Sequence, residues 1–106
     1  MKKYELTEET NEQGLHRIIA LKDIPFYGVK KGDLGGFVER ENNLSQEGDC
    51  WIADNATVKD FAGVHDDALV KDNATVKDNA TVKDNATVKD NATIMDNATI
   101  IAISTV

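Results

Sequence analysis

From Asp54 onward an aliphatic residue recurs at every sixth position, at Val58, Val64, Val70, Val76, Val82, Val88, Ile94 and Ile100. A small residue stands two places before each, at Ala56, Ala62, Ala68, Ala74, Ala80, Ala86, Ala92 and Ala98. This spacing excludes an amphipathic helix. At about 100° per residue, six residues turn through roughly 600°, so successive valines would fall about 240° apart and ring the helix. A single long strand fails too, because strict alternation would put Asp54, Asp60 and Asp66 on the same face as the Ala and Val residues. The remaining solution is a short Ala-Thr-Val strand with Ala and Val inward and Thr outward. A bend follows through Lys-Asp-Asn, whose Asp and Asn suit turn geometry. Each hexad is then one side of a coil.

Carried backward, the frame fits Gly48-Asp49-Cys50-Trp51-Ile52-Ala53 and then, less well, Asn42-Asn43-Leu44-Ser45-Gln46-Glu47. Forward, Ala102-Ile103-Ser104-Thr105-Val106 is a cut hexad. The division this predicts is a repeat over 42–106 and a different unit over 1–41. Within the latter, residues 3–7 (KYELT) and 15–21 (LHRIIAL) are β-rich runs separated by Thr10-Asn11-Glu12-Gln13-Gly14, which predicts a hairpin. Pro25 and Gly28 then break the chain, and Gly32, Gly35 and Gly36 allow tight geometry on the way into the array. A repeat array presents unpaired strand edges and an open core at its ends, so the hairpin is expected to cap it.

The eight aliphatic and small pairs resemble the hexapeptide repeat of left-handed parallel β-helices. That resemblance implies an all-β fold with three hexads per coil, somewhat over three coils across 42–106, and a left-handed sense. Residues n and n+18 would stack about 4.8 Å apart. The interior columns would be Ile52, Val70, Val88 and Val106; Val58, Val76 and Ile94; and Val64, Val82 and Ile100. The segments KYELT, RIIALKD, VKKGDLGGFVE, NLSQEGDCW and DNATV also resemble the start of the longer YdcK-like bacterial acyltransferases. Many enzymes with the left-handed β-helix that the repeat resembles are acyltransferases, which implies acyl-CoA bound between subunits of a trimer and a His as general base.

Composition narrows the function. Leu, Ile, Val and Phe make up 26 of the 106 residues, enough to fold. One Cys, no apolar run of about 18 residues and no leader-like start argue against a disulfide scaffold, a membrane span and a secretory signal, so the cytosol is the expected compartment. The formal charge of -7 would repel nucleic-acid phosphates and anionic lipids. A rigid acidic rod could instead mimic nucleic acid as an inhibitor, but the 9 Asp and 5 Lys between residues 54 and 101 leave the rod only mildly acidic.

Among side chains that could carry chemistry, His65 stands where other repeats have Lys and is the one candidate for a catalytic base. His16 falls on the hairpin. Cys50 aligns with the buried Ala and reads as a core thiol, since free Cys usually behaves as a small hydrophobe. One Cys and two distant His lack the spacing of a zinc site, and the Asp columns, each preceded mostly by Lys, lack the glycine-rich calcium motif. No insertion interrupts the hexads after residue 54 to build an acceptor pocket. The expected role is therefore a structural or protein-binding module with no cofactor. Acetyl-CoA enters only under the acyltransferase alternative.

Outward apolar residues point to association. Trp51 and Leu69 share one outward column, which predicts a patch covered by the cap or by another subunit. Met95 and Ile101 replace corner Lys residues and Ile103 replaces an outward Asn. Together with Val106 they suggest an end-to-end dimer, with a side-by-side trimer as the alternative.

Overall fold

In the computed structural model residues 2–101 are described. Ile103 and Val106, and with Val106 the last member of one interior column, lie outside them. The fold is all-β: a β-solenoid of about four turns, capped by antiparallel strands.

The hexads form nine two-residue strands: β4 (Trp51–Ile52), β5 (Thr57–Val58), β6 (Gly63–Val64), β7 (Leu69–Val70), β8 (Thr75–Val76), β9 (Thr81–Val82), β10 (Thr87–Val88), β11 (Thr93–Ile94) and β12 (Thr99–Ile100). Every third strand stacks in parallel, with Val58 on Val76 on Ile94, Val64 on Val82 on Ile100, and Ile52 on Val70 on Val88. An 18-residue coil follows. The N–H of one coil donates to the carbonyl of the next, as Thr57 does to Ala74 at 2.9 Å and Lys59 to Val76 at 3.0 Å. Among the described residues Ile52, the six column valines from Val58 to Val88 and the alanines from Ala56 to Ala86 are buried.

The corners explain the Asp of the repeat. All eight, Asp54 to Asp96, hold φ between 56° and 59°, the left-handed region that Asp and Asn tolerate better than other side-chain-bearing residues. Each turn is closed by the Ala N–H donating to the carbonyl three residues back, as Ala74 does to Lys71 at 3.2 Å. The Asp carboxylate also reaches across coils: Asp60 Oδ2 accepts the N–H of Asp78 at 3.0 Å, and Asp78 Oδ2 accepts that of Asp96 at 3.0 Å. Asp78→Ala loses both advantages and is expected to cost about 2 kcal/mol. Asp78→Gly, which keeps only the backbone freedom, should cost about half as much. Urea unfolding of the pair checks the order, and equal losses would show that the cross-coil hydrogen bond dominates.

The cap begins with β1 (Tyr4–Thr10) and β2 (His16–Ala20), the expected hairpin, and adds β3 (Leu34–Val38) antiparallel to β2. β3 also pairs in parallel with β5, so one six-stranded sheet runs β1-β2-β3-β5-β8-β11 from cap into solenoid. Arg17 ties the two together: its guanidinium lies 4.2 Å from the Phe37 ring centre in β3, and it donates through Nη1 to Asp54 O and through Nη2 to Asn55 Oδ1 in the solenoid, each at 3.3 Å.

The backward extension of the hexad frame needs one correction. Val38 pairs with Val58 and Leu44 bridges to Val64, each twenty residues apart rather than eighteen. Leu44 therefore fills the aliphatic column, where the six-residue frame put Gln46, because two extra residues are accommodated between Leu44 and Ile52. Gly48 takes up the excess at φ 73°, where an added Cβ would stand 2.4 Å from Asp66 O. The strand before Leu44 is replaced by a 3-10 turn, Glu41–Asn43, whose buried Asn43 does the work of a backbone. Its Oδ1 accepts the N–H groups of Glu39 and Arg40 at 3.0 and 2.8 Å, and its Nδ2 donates to Ala62 O at 2.8 Å.

Candidate functional site

Two shallow grooves lie where the cap meets the first full coil. The first holds His65. Its backbone continues the ladder, N–H to Val82 O at 2.9 Å, so the side chain leaves the corner after β6. The imidazole is exposed and lies over Gly63, where an added Cβ would stand 2.6 Å from Nε2. Gly63 occupies an outward Thr position, so the loss of that Thr and the gain of His65 form one structural change. With Glu41, Asn42, Leu44, Ser45 and Gln46, His65 lines a groove of about 290 Å³. Gln46 Nε2 donates to Glu41 Oε2 at 3.2 Å, and Lys2 pairs with Glu41 Oε1 at 3.1 Å, so the carboxylate there is already engaged. No hydrogen bond among the described residues orients the His65 ring.

The second groove, of about 400 Å³, lies on the β4–β7 face beneath the 3-10 turn Pro25–Tyr27. Trp51 forms part of its floor and is 2% exposed within a single chain, while Leu69 beside it is half-buried.

The remaining His and Cys singled out by sequence lie away from both grooves. His16 is half-buried on β2, its Nδ1 3.0 Å from Thr7 O across the hairpin. Cys50 is fully buried, and burial pushes its thiol up. Sequence patterning missed its partner. Lys3 is equally buried and donates through Nζ to Cys50 O at 2.7 Å, Gly48 O at 3.2 Å and Cys50 Sγ at 3.2 Å. Desolvation lowers the Lys3 pKa, against the opposing pull of Cys50. Tyr4, also buried, directs its hydroxyl at the Glu41 and Leu44 carbonyls. Lys3 and Tyr4 thus anchor the start of the cap to residues 41–50, and a lysine just before the first strand gave no sequence signal of this.

Among the described residues no group of three or more His, Cys, Asp or Glu side chains gathers in metal-binding geometry, and no helix is long and apolar enough to cross a membrane. Met95 and Ile101 are 42% and 48% exposed on the last described coil.

No protein-family model matches the sequence. A curated protein does. The chain is similar to the uncharacterized acetyltransferase YdcK of Escherichia coli (strain K12). Identity is 41% over 69 residues, which cover 55% of this chain and 21% of YdcK. This chain therefore spans about a fifth of that relative. The similarity agrees with the solenoid of hexapeptide-repeat proteins.

Proposed function

We propose that this chain is a structural or protein-binding solenoid module rather than a self-sufficient acyltransferase. The observation that supports this reading is His65. A general base must be held within hydrogen-bond reach of the proton it removes, and serving imidazoles are normally oriented through their second nitrogen. His65 instead lies on an exposed corner, with the neighbouring carboxylate of Glu41 engaged by Lys2 and Gln46. The similarity to a protein named an acetyltransferase favours the second reading, in which acetyl-CoA is the donor and His65 the base. Calorimetric titration of the chain with acetyl-CoA distinguishes them. The module reading expects no saturable heat. Saturable binding together with acetyl transfer that His65→Ala abolishes would overturn it.

The same reading includes self-association. Met95 and Ile101 stand in columns that carry Lys59 and Lys77, and Lys83, on earlier coils, and the interior requires neither change. An end-to-end dimer with twofold symmetry would cover both, and a side-by-side trimer is the alternative geometry. Light scattering on the wild type is expected to give a discrete oligomer, and Met95→Lys with Ile101→Lys and Ile103→Asn a monomer. A wild type that stays monomeric at high concentration would refute the assembly.

A further inference from the structure

The repeat supplies its own reference for what the coil alone demands. At outward strand positions it uses Thr and at the following corner Lys, as in Thr75-Val76-Lys77 and Thr81-Val82-Lys83. Three departures from that rule converge. Trp51 and Leu69 replace the Thr, Ala53 replaces the Lys, and all three line the 400 Å³ groove. The residues that the fold would have placed there are polar and, at 53, long enough to fill the space.

The facing wall is pinned. The Tyr27 hydroxyl donates to Asp67 O, and an antiparallel bridge between Ile24 and Val29 closes the turn that carries it. Around the apolar floor stand two carboxylates, Asp33 and Asp54, and one ammonium, Lys71. Each carboxylate is oriented by one backbone N–H on Oδ2, from Lys30 at 2.9 Å for Asp33 and from Asp72 at 3.2 Å for Asp54. That leaves Oδ1 of each for a further donor. Among the described residues none of the three charges is in an ion pair.

We propose that this groove binds a small primary amine carried on an aromatic or branched apolar body. The apolar part would cover Leu69, backed by the buried Trp51, and Leu34, which is 55% exposed at the rim. Such a floor with a few convergent polar groups is the usual make-up of a small-molecule site. The sign of the ligand follows from the lining: two carboxylates against one ammonium favour a cation, and an anion of the same shape would meet two like charges. Aliphatic contact supplies affinity, and the carboxylates supply selection for the amine.

The probe is 2-phenylethylamine, titrated into the full-length isotope-labelled chain, with amide shifts at Leu34, Leu69 and Lys71 and the Trp51 indole signal followed by NMR. Saturable shifts confined to the groove are expected, with phenylacetate at least about tenfold weaker. Ala53→Lys, which only restores the repeat residue, should weaken amine binding by about tenfold or more by filling the groove. Asp33→Asn keeps the hydrogen bond from Lys30 and should weaken it by a similar factor, so it carries the test should Ala53→Lys not fold. Absence of saturable shifts into the millimolar range, equal binding of phenylacetate, or binding unchanged by the folded variants would each overturn the proposal.

Discussion

Val82→Asp is expected to abolish the cooperative thermal transition, whereas Thr81→Lys next to it should melt within a few degrees of the wild type. Val82 has no solvent exposure and sits between Val64 and Ile100 in a column bounded by alanines. A carboxyl group there finds neither water nor a donor. Even protonated, it forfeits the burial of a valine and leaves polar atoms without partners, a loss of about 4 kcal/mol or more. Domains of this size hold only about 5–15 kcal/mol in total. Thr81 points outward and is half-buried, so a flexible Lys there can reach solvent at a cost within about 0.5 kcal/mol. Circular dichroism melts of the two variants check this, and similar melting temperatures would mean that the strand faces are assigned the wrong way round.

The second large effect concerns a position where the repeat's own residue does not fit. Gly36 corresponds in β3 to the small residue of each later hexad, where Ala is the rule. An added Cβ at Gly36 would nevertheless stand 2.5 Å from Ala56 O and 2.5 Å from Ile52 Cγ2, closer than such atoms pack. One of the two is backbone held in the β3–β5 pairing, since Phe37 N–H donates to that same Ala56 O at 2.9 Å. Relief therefore requires the strands to part. Gly36→Ala is expected to destabilise by about 2–3 kcal/mol through overpacking, although Gly→Ala in a strand would otherwise be favourable. The companion change Ala74→Gly, at an equivalent site in a regular coil, should cost about 1 kcal/mol. Chemical denaturation of both gives the comparison, and a neutral Gly36→Ala would show that β3 has room to shift.

The periodic part of this molecule was readable because period and chemistry agree. Aliphatic residues at six-residue spacing with Ala two places earlier leave a short-sided coil as the one way to bury both, and the stacked columns follow. The cap hairpin was readable from its β-rich runs and the turn residues between them, Asn11 and Gly14. The boundary between them was not. Leu44 and Val38 sit in interior columns, but the two residues absorbed around Gly48 hide that relation from any fixed frame. Asn43 conceals it further, because its side chain substitutes for strand hydrogen bonds without resembling a strand residue. For the grooves, sequence identified His65, Trp51 and Leu69 as departures from the repeat. What it lacked was depth: whether a departing side chain meets solvent, another chain or its own cap is set by the 3-10 turn at Pro25–Tyr27, whose path no periodicity encodes.

The eight left-handed Asp corners carry one more consequence. Residues 72–89 spell the same hexad three times, so the three faces of that one coil carry the same carboxylates, carbonyls and apolar positions. Sliding this segment by six residues would move every side chain to the adjacent face and meet the same inward Ala and aliphatic positions there. Local contacts are thus degenerate and cannot tell one register from another. Singular residues flank it on both sides, and those upstream, among them Val38, Asn43, Leu44, Gly48, Cys50 and Trp51, hold the first turn in one alignment with the cap. The cap is consequently the origin from which the coil is counted: it sets the phase, and the uniform hexads copy it forward one turn at a time.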